Sequence, residues 1–233
     1  MLRRHEGQPV LRRFRLRLAS PRLAVLERQF GRRRFSLLDV GCGNHSATFT
    51  KRFFPECCYH GLDSSRDYNN SQEDFLLMEE FYEVNLAELD YTAIPNDYFD
   101  AISMSHVIEH LPNALEVLPA LSKKLKPGGI MYIEWPHPRS VSLPSMRDCL
   151  NFYDDPTHLR LYLLTEVCNA LRDAGVTPRR GGTRRNWWYL VFSPVLIPLR
   201  VWKRGHLTGP DLWDWAGFAQ YVVAERAPKP ASG

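Results

Sequence analysis

From Ser36 onward, short apolar runs alternate with segments of helical length, the order expected when helices cover both faces of a mostly parallel sheet. This pattern predicts strands at Leu37–Val40, Tyr59–Leu62, Tyr82–Asn85, Asp100–Met104 and Ile130–Trp135, with Ala219–Arg226 closing the sheet. Pro21–Phe30 reads as a first helix. Ser46 is placed to cap a helix running to Phe54, and Ser71 with Asp74 three residues on carries the same signature. Asn113 with Glu116 predicts a helix reaching Leu125, which Pro119 should kink or restart. Lys126-Pro127-Gly128-Gly129 reads as a stop before the next strand. A later helix opens at Thr165, places Val167, Ala170, Leu171 and Ala174 on one face, and ends at Gly175.

Composition sharpens this outline. A chain of 233 residues with 44% hydrophobic content can bury a full core. It reads as one domain, residues 35–233, preceded by a basic arm and first helix over residues 1–34 and carrying an aromatic-rich insert at about 183–215. The formal charge of +4 is unevenly spread, because the first 34 residues hold eleven arginines against two acids. The body is therefore mildly acidic, which disfavours a nucleic-acid substrate. The arm is acid-poor like an organellar transit peptide, yet poor in Ser, and fits better as a basic arm able to meet anionic lipid, nucleic acid or another subunit. Five cysteines without a C-x-x-C pair suggest neither a disulfide framework nor a structural zinc site, and a reducing cytosol fits them. No run of 18 apolar residues occurs, so no membrane-spanning helix is predicted.

The chemistry concentrates first in SLLDVGCGNHSATF, Ser36 to Phe49. A strand here runs into Gly41-Cys42-Gly43 and then a helix start, and glycines without side chains let a ligand approach the main chain. Asp63 follows Gly43 by 20 residues, at the end of the second strand, where a carboxylate can accept two hydrogen bonds from a ribose diol. Together these features indicate an adenosine-type cofactor. A dinucleotide remains open, with Ser46 as the third small residue of its turn.

LLDVGCG, then GLD, then IPNDYFDAISMSHVIEHL, then LKPGGIMYIEWP, in that order across Phe35 to Gly175, resembles the class I S-adenosylmethionine-dependent methyltransferases. The resemblance implies a Rossmann-like, doubly wound α/β fold whose seven-stranded, mostly parallel sheet ends in an antiparallel strand. It also implies S-adenosyl-L-methionine as cofactor. In that reading Asp39 orients the turn, Gly41, Cys42 and Gly43 line the methionine end, Asp63 with Ser64 holds the ribose, Asn85 and Leu86 meet the adenine, and Ser105 borders the site. The chain departs from the family at Asn44-His45, where a third glycine is frequent, and at Asn85, where Asp is commoner.

Methyl transfer to a hydroxyl or amine also requires a destination for a proton, and histidine commonly provides one. His106 follows the fourth strand and borders the transferring methyl by the same resemblance; as an alternative, its ring merely bonds backbone. Glu109 and His110, one turn later, fit packing or capping better. A second constellation is LNFYDDPTHLRLY, Leu150 to Tyr162, in which Asp154, Asp155, His158 and Arg160 surround Pro156. FYDDPTHLRLY resembles a loop of bacterial enzymes of cell-surface glycan pathways. His158 with Asp155 is the candidate acid–base pair, and an Asp–His–Arg network that only fixes the loop is the alternative. Glu134, His137 and Arg139 should face the same cleft. No spacing enforces a metal site from Asp154, Asp155, His158 and His137, and none is expected.

Thr183 to Leu207 brackets an apolar run with Trp187, Trp188, Tyr189 and Trp202 and flanks it with Arg184, Arg185, Lys203 and Arg204. Pro194 and Pro198 should break any long helix here. A lid over the cleft, a homodimer surface and a peripheral lipid contact are all compatible with this insert. These readings converge on a cytoplasmic bacterial methyltransferase, peripheral at the inner membrane if the lipid contact holds. Its acceptor would be a small molecule or a lipid-linked or cell-surface glycan precursor of polysaccharide biosynthesis. An NAD-type oxidoreductase or epimerase and a non-catalytic adaptor are the competing functions.

Overall fold

The computed structural model describes residues 16, 18, 20–66 and 68–228, so most of the expected basic arm lies outside the described residues. The elements run α1 (Pro21–Phe30), β1 (Ser36–Val40), α2 (Ser46–Phe53), β2 (Cys58–Asp63), α3 (Gln72–Leu76), β3 (Glu80–Glu83), β4 (Phe99–Ser105), α4 (Ala114–Ser122), β5 (Leu125–Pro136), α5 (Leu164–Asp173), β6 (Val176–Thr183), α6 (Trp187–Arg204), α7 (Gly209–Ala216) and β7 (Ala219–Arg226). Seven strands form one sheet in the order β3-β2-β1-β4-β5-β7-β6. β1 to β5 are parallel, and β7 pairs antiparallel with both β5 and β6. The order reverses at β1, so the cleft opens where β1 and β4 diverge at their carboxyl ends.

The central strands are largely apolar because both faces are covered. In β1, Leu38 and Val40 join the cluster under α4 and α5, whereas Leu37 joins Leu23 and Leu26 of α1 and Phe53 of α2. Every residue of β1 is buried, including Asp39. Its carboxylate accepts two hydrogen bonds from Arg22 of α1 (2.8 and 2.9 Å), one from Ser46 Oγ (2.6 Å) and one from Tyr59 Oη of β2 (2.7 Å).

Several local expectations shift for physical reasons. Ser46 does not cap α2; its hydroxyl is drawn to Asp39, and His45 occupies the cap position at φ +57°. Asn113 also forgoes capping and donates its amide to Ala87 O, while α4 passes through Pro119 and ends at Ser122. Lys126 to Gly129 belongs to β5 instead of preceding it; Gly128 at φ +80° sits where the β4–β5 register shifts. β3 begins two residues earlier than expected, so Asn85 lies beyond it and caps a 3₁₀ turn. α5 starts at Leu164, before Thr165, with Glu166 accepting from the Leu163 N–H.

The largest correction concerns the insert, since α6 runs 18 residues through both Pro194 and Pro198. Ser193 Oγ donates to Leu190 O at 2.8 Å, the carbonyl that Pro194 cannot serve, and Pro198 lies on the exposed face, where water can solvate the carbonyl it frees.

Removing the carboxylate at position 39 leaves Arg22 buried and uncompensated. Asp39→Ala is expected to cost about 3–5 kcal/mol in chemical denaturation, against less than about 1 kcal/mol for an exposed pair such as Arg179–Glu225.

Candidate active site

The first β-to-α turn is shaped by close contact. Gly41 sits at φ +72°, and a Cβ there would lie 2.4 Å from the Val107 side chain. At Gly43 a Cβ would meet the Tyr68 ring at 2.3 Å and its carbonyl at 2.7 Å. The Gly43 N–H donates to Asp63 Oδ2 at 3.2 Å and the Ser64 N–H to Oδ1 at 2.8 Å, which ties the turn to the end of β2. Burial pushes the Asp63 carboxyl above its usual range, and these amide donors pull it back only in part.

A cavity of about 550 Å³ begins at this turn. Gly41, Asp63, Ser64, Asn85, Leu86 and Ser105 all line it, joined by the apolar Leu62, Val84 and Leu111. Asp39, Cys42 and Gly43 do not. Asp39 is consumed by the buried cluster, and Cys42 turns into the core beside Gly61, where burial raises its thiol. Gly43 acts from behind the wall, and Tyr68, which it admits, lines the cavity instead.

The far half of the cavity gathers His106, His110, Asp155 and His158 with Trp213 and Phe218, whose rings lie 4.8 and 6.0 Å from that of His106. His106 is held at φ +55° by its N–H to Glu134 O (2.8 Å), with Nδ1 3.1 Å from Glu109 Oε1 and Nε2 3.3 Å from Glu134 Oε1. Burial disfavours the imidazolium, but the two glutamates outweigh it and raise His106 to about 9. Glu134 shows the counterpart: burial opposes its charge, yet Arg184 and His106 lower it to about 2. His106 thus carries its proton at neutral pH, and the proton-accepting role expected for it does not fit this setting.

His158 is nearly inaccessible, with its side chain 5% exposed. Its Nδ1 donates to Phe152 O at 2.6 Å, so the lone pair is on Nε2, 4.0 Å from Glu109 Oε1 and 3.9 Å from Asp155 Oδ2. Asp155 Oδ1 accepts from both the N–H and the hydroxyl of Thr157. Burial works against the Asp155 charge, and these two donors overcome it to lower the carboxyl. Asp154 is diverted to the loop backbone, accepting from Met146, Leu150 and Asn151, and Arg160 pairs with Glu166. His137 Nδ1 accepts from the Arg139 N–H, and neither residue lines the cavity.

Glu109 and His110 are the residues that spacing undervalued. Glu109 is fully buried behind the cavity wall, touching His106, while its backbone carbonyl accepts from Leu159 and Arg160. Trp213 and Phe218 went unnoticed in the sequence. Trp213 Nε1 donates to Cys149 O (2.6 Å) and its ring stacks on Phe218 at 4.8 Å. No residue of α6 lines this cavity, whereas Trp213, near the end of the insert, does.

A family model described as a methyltransferase domain matches residues 3–179. Two curated relatives are trans-aconitate 2-methyltransferases. That of Azoarcus sp. (strain BH72) is 28% identical over 170 residues, 72% of this chain and 59% of the relative. That of Rhodopseudomonas palustris (strain BisB18) is 28% identical over 177 residues, 72% and 66% respectively, so the chain spans less than two thirds of either. A solved S-adenosylmethionine-dependent methyltransferase from Mesorhizobium loti shares the fold at TM-score 0.59 and 16% identity, covering 89% of this chain and 99% of its own. With the reversal of strand order at β1, the glycine turn and the closing antiparallel strand, these matches establish that the chain belongs to the methyltransferase-domain family and has the fold of the class I S-adenosylmethionine-dependent methyltransferases.

Proposed function

We propose that the chain methylates an oxygen of a small polar acceptor bound among His106, His110, Asp155 and His158. The observation carrying this reading is the continuity of one cavity from Gly41 and Asp63 to that polar cluster. S-adenosylmethionine fits the first half. The main chain at Gly41 is bare because any Cβ would strike Val107, Asp63 faces the cavity for a diol, and Leu62, Val84 and Leu86 offer an apolar slot for a flat base. When bound, the cofactor supplies a methyl group already activated by its sulfonium.

The chain's own residues then position the acceptor and dispose of its proton. Trp213 and Phe218 form the apolar wall against which an acceptor is oriented, and holding reactants aligned can contribute up to about 7–11 kcal/mol. The His158 lone pair and the Asp155 carboxylate provide the electron-rich groups toward which an acceptor O–H points. The named activity of the curated relatives adds a carboxylated acceptor as the first compound to assay.

A second reading, a lipid-linked or glycan acceptor at a membrane surface, rests on one face of α6. Trp187, Val191, Val195 and Trp202 are 71%, 69%, 70% and 80% exposed, and Lys203 and Arg204 follow at its end. No described helix is long and apolar enough to cross a membrane, so this would be contact with its surface.

Three measurements check these readings. Calorimetry should show binding of S-adenosylhomocysteine and none of NAD. Because the ribose needs the Asp63 carboxylate, affinity should fall as pH drops through that group's raised pKa, and Asp63→Asn should weaken binding and flatten the dependence; a pH-independent wild type contradicts the assignment. His158→Ala should cut turnover about 10²–10⁴-fold while leaving S-adenosylhomocysteine affinity within about twofold. For the second reading, the chain should float with phosphatidylglycerol vesicles and a Trp187→Ser/Trp202→Ser variant should not; absence of flotation by wild type removes it.

A further inference from the structure

The side chains of Glu109, His110 and His158 meet at the cavity wall, where one ligating atom from each lies within 4.8 Å of the others. The tautomers of both imidazoles are set by what lies behind them. His158 Nδ1–H is committed to the Phe152 carbonyl, which can only accept. Thr157 gives its hydroxyl proton to Asp155 Oδ1 at 2.6 Å, so its oxygen, 2.9 Å from His110 Nδ1, can only accept from that nitrogen. In its neutral form each imidazole therefore keeps its proton on Nδ1, which leaves Nε2 as the nitrogen able to ligate. Glu109 Oε2 is buried and has no hydrogen-bond partner among the described residues. Two ring nitrogens able to ligate and a buried carboxylate thus stand together, an arrangement that a shared cation would complete.

From this convergence we infer that Glu109, His110 and His158 form a binding site for a divalent first-row transition ion such as Zn²⁺, Fe²⁺ or Co²⁺. Two imidazoles and one carboxylate suit these ions better than Mg²⁺ or Ca²⁺, and three protein ligands leave a coordination position open. Each imidazole anchored through its other nitrogen, here by Phe152 and by the Thr157–Asp155 pair, is the usual outer support of such ligands. Around an ion with bonds of about 2.0–2.1 Å the donors must draw to roughly 3.3 Å apart, a movement on the order of 1 Å in side chains. Three carboxylates, Glu109, Glu134 and Asp155, surround this corner of the cavity, with Arg184 against Glu134 on the far side.

His110 and His158 line the cavity, so the open position faces the acceptor half. The proposal deepens the reading of that half as the acceptor site and rests on it only for the ion's role. An acceptor oxygen bound at the open position becomes more acidic. Its proton passes to the Asp155 carboxylate and then to water, the new O–C bond forms as the C–S bond breaks, and the C–S pair stays on sulfur. With the ion bound the His158 lone pair is on the metal and Asp155, the other group available for the acceptor proton, takes it; without the ion both groups face the acceptor.

The test uses the full chain dialysed against EDTA and then titrated with CoCl₂, followed by calorimetry and by the visible d–d bands of Co²⁺. One equivalent should bind, with Zn²⁺ competing. His110→Ala and His158→Ala should each weaken Co²⁺ binding at least tenfold, and Thr157→Val, which removes the hydroxyl between His110 and Asp155, about 10–100-fold. S-adenosylhomocysteine affinity, measured on the same samples, should stay within twofold and reports separately on the fold and the cofactor half. No binding by wild type, or equal binding by the two histidine variants with that affinity retained, overturns the site. Loss of S-adenosylhomocysteine binding by wild type overturns the methyl-transfer reading instead.

Discussion

The structure depends on one buried carboxylate. Asp39 stands at the end of the central strand, immediately before the glycine turn, and takes hydrogen bonds from α1, α2 and β2 at once. Arg22 also reaches Ser46 and Thr50, so the guanidinium fixes α2 against the strand that precedes it. A buried ion pair of this kind contributes little net stability against an apolar alternative, but breaking it is expensive. Its use here is geometric. It ties β1, two residues before Gly41, to α1, α2 and β2 at once.

The acceptor half is organised by a second chain of charges. His106 lies against Glu134, Glu134 against Arg184 at 3.4 Å, and Arg184 against Asp214 at 3.4 Å, which in turn accepts from the Asn186 N–H at the start of α6. Tyr132 donates to Glu134 from the same strand. This relay links the ends of β4 and β5 to β6, α6 and α7, so the cavity wall and the aromatic helix are mechanically joined although α6 does not touch the cavity. Burial alone would neutralise these groups; mutual pairing keeps Glu134 ionised and His106 protonated.

Such pairing also explains why neighbouring residues of one type have different fates. Asp154 and Asp155 are adjacent, yet one is spent on backbone amides of its own loop and the other reaches the cavity beside His158. His106 and His110 lie one turn apart. The first is held between carboxylates; the second has its Nδ1 tied to Thr157.

Local sequence determined six of the seven strands, the glycine turn, its acidic partner at Asp63 and the first helix, because strands covered on both faces are largely apolar and a crowded turn must be glycine, whereas the largely exposed and polar β6 carries no such pattern. It also marked the two histidine-bearing segments. Tertiary structure alone decided that Ser46 serves Asp39 and not its own helix, that Cys42 faces the core, that α6 continues through two prolines, and that Glu109 joins His110 and His158. Each of those outcomes depends on partners far away in the chain, such as Thr157 and Phe152 for the histidines. Periodicity and capping rules register only neighbours within a few residues, whereas a buried polar group is placed by whichever donor or acceptor the fold brings to it.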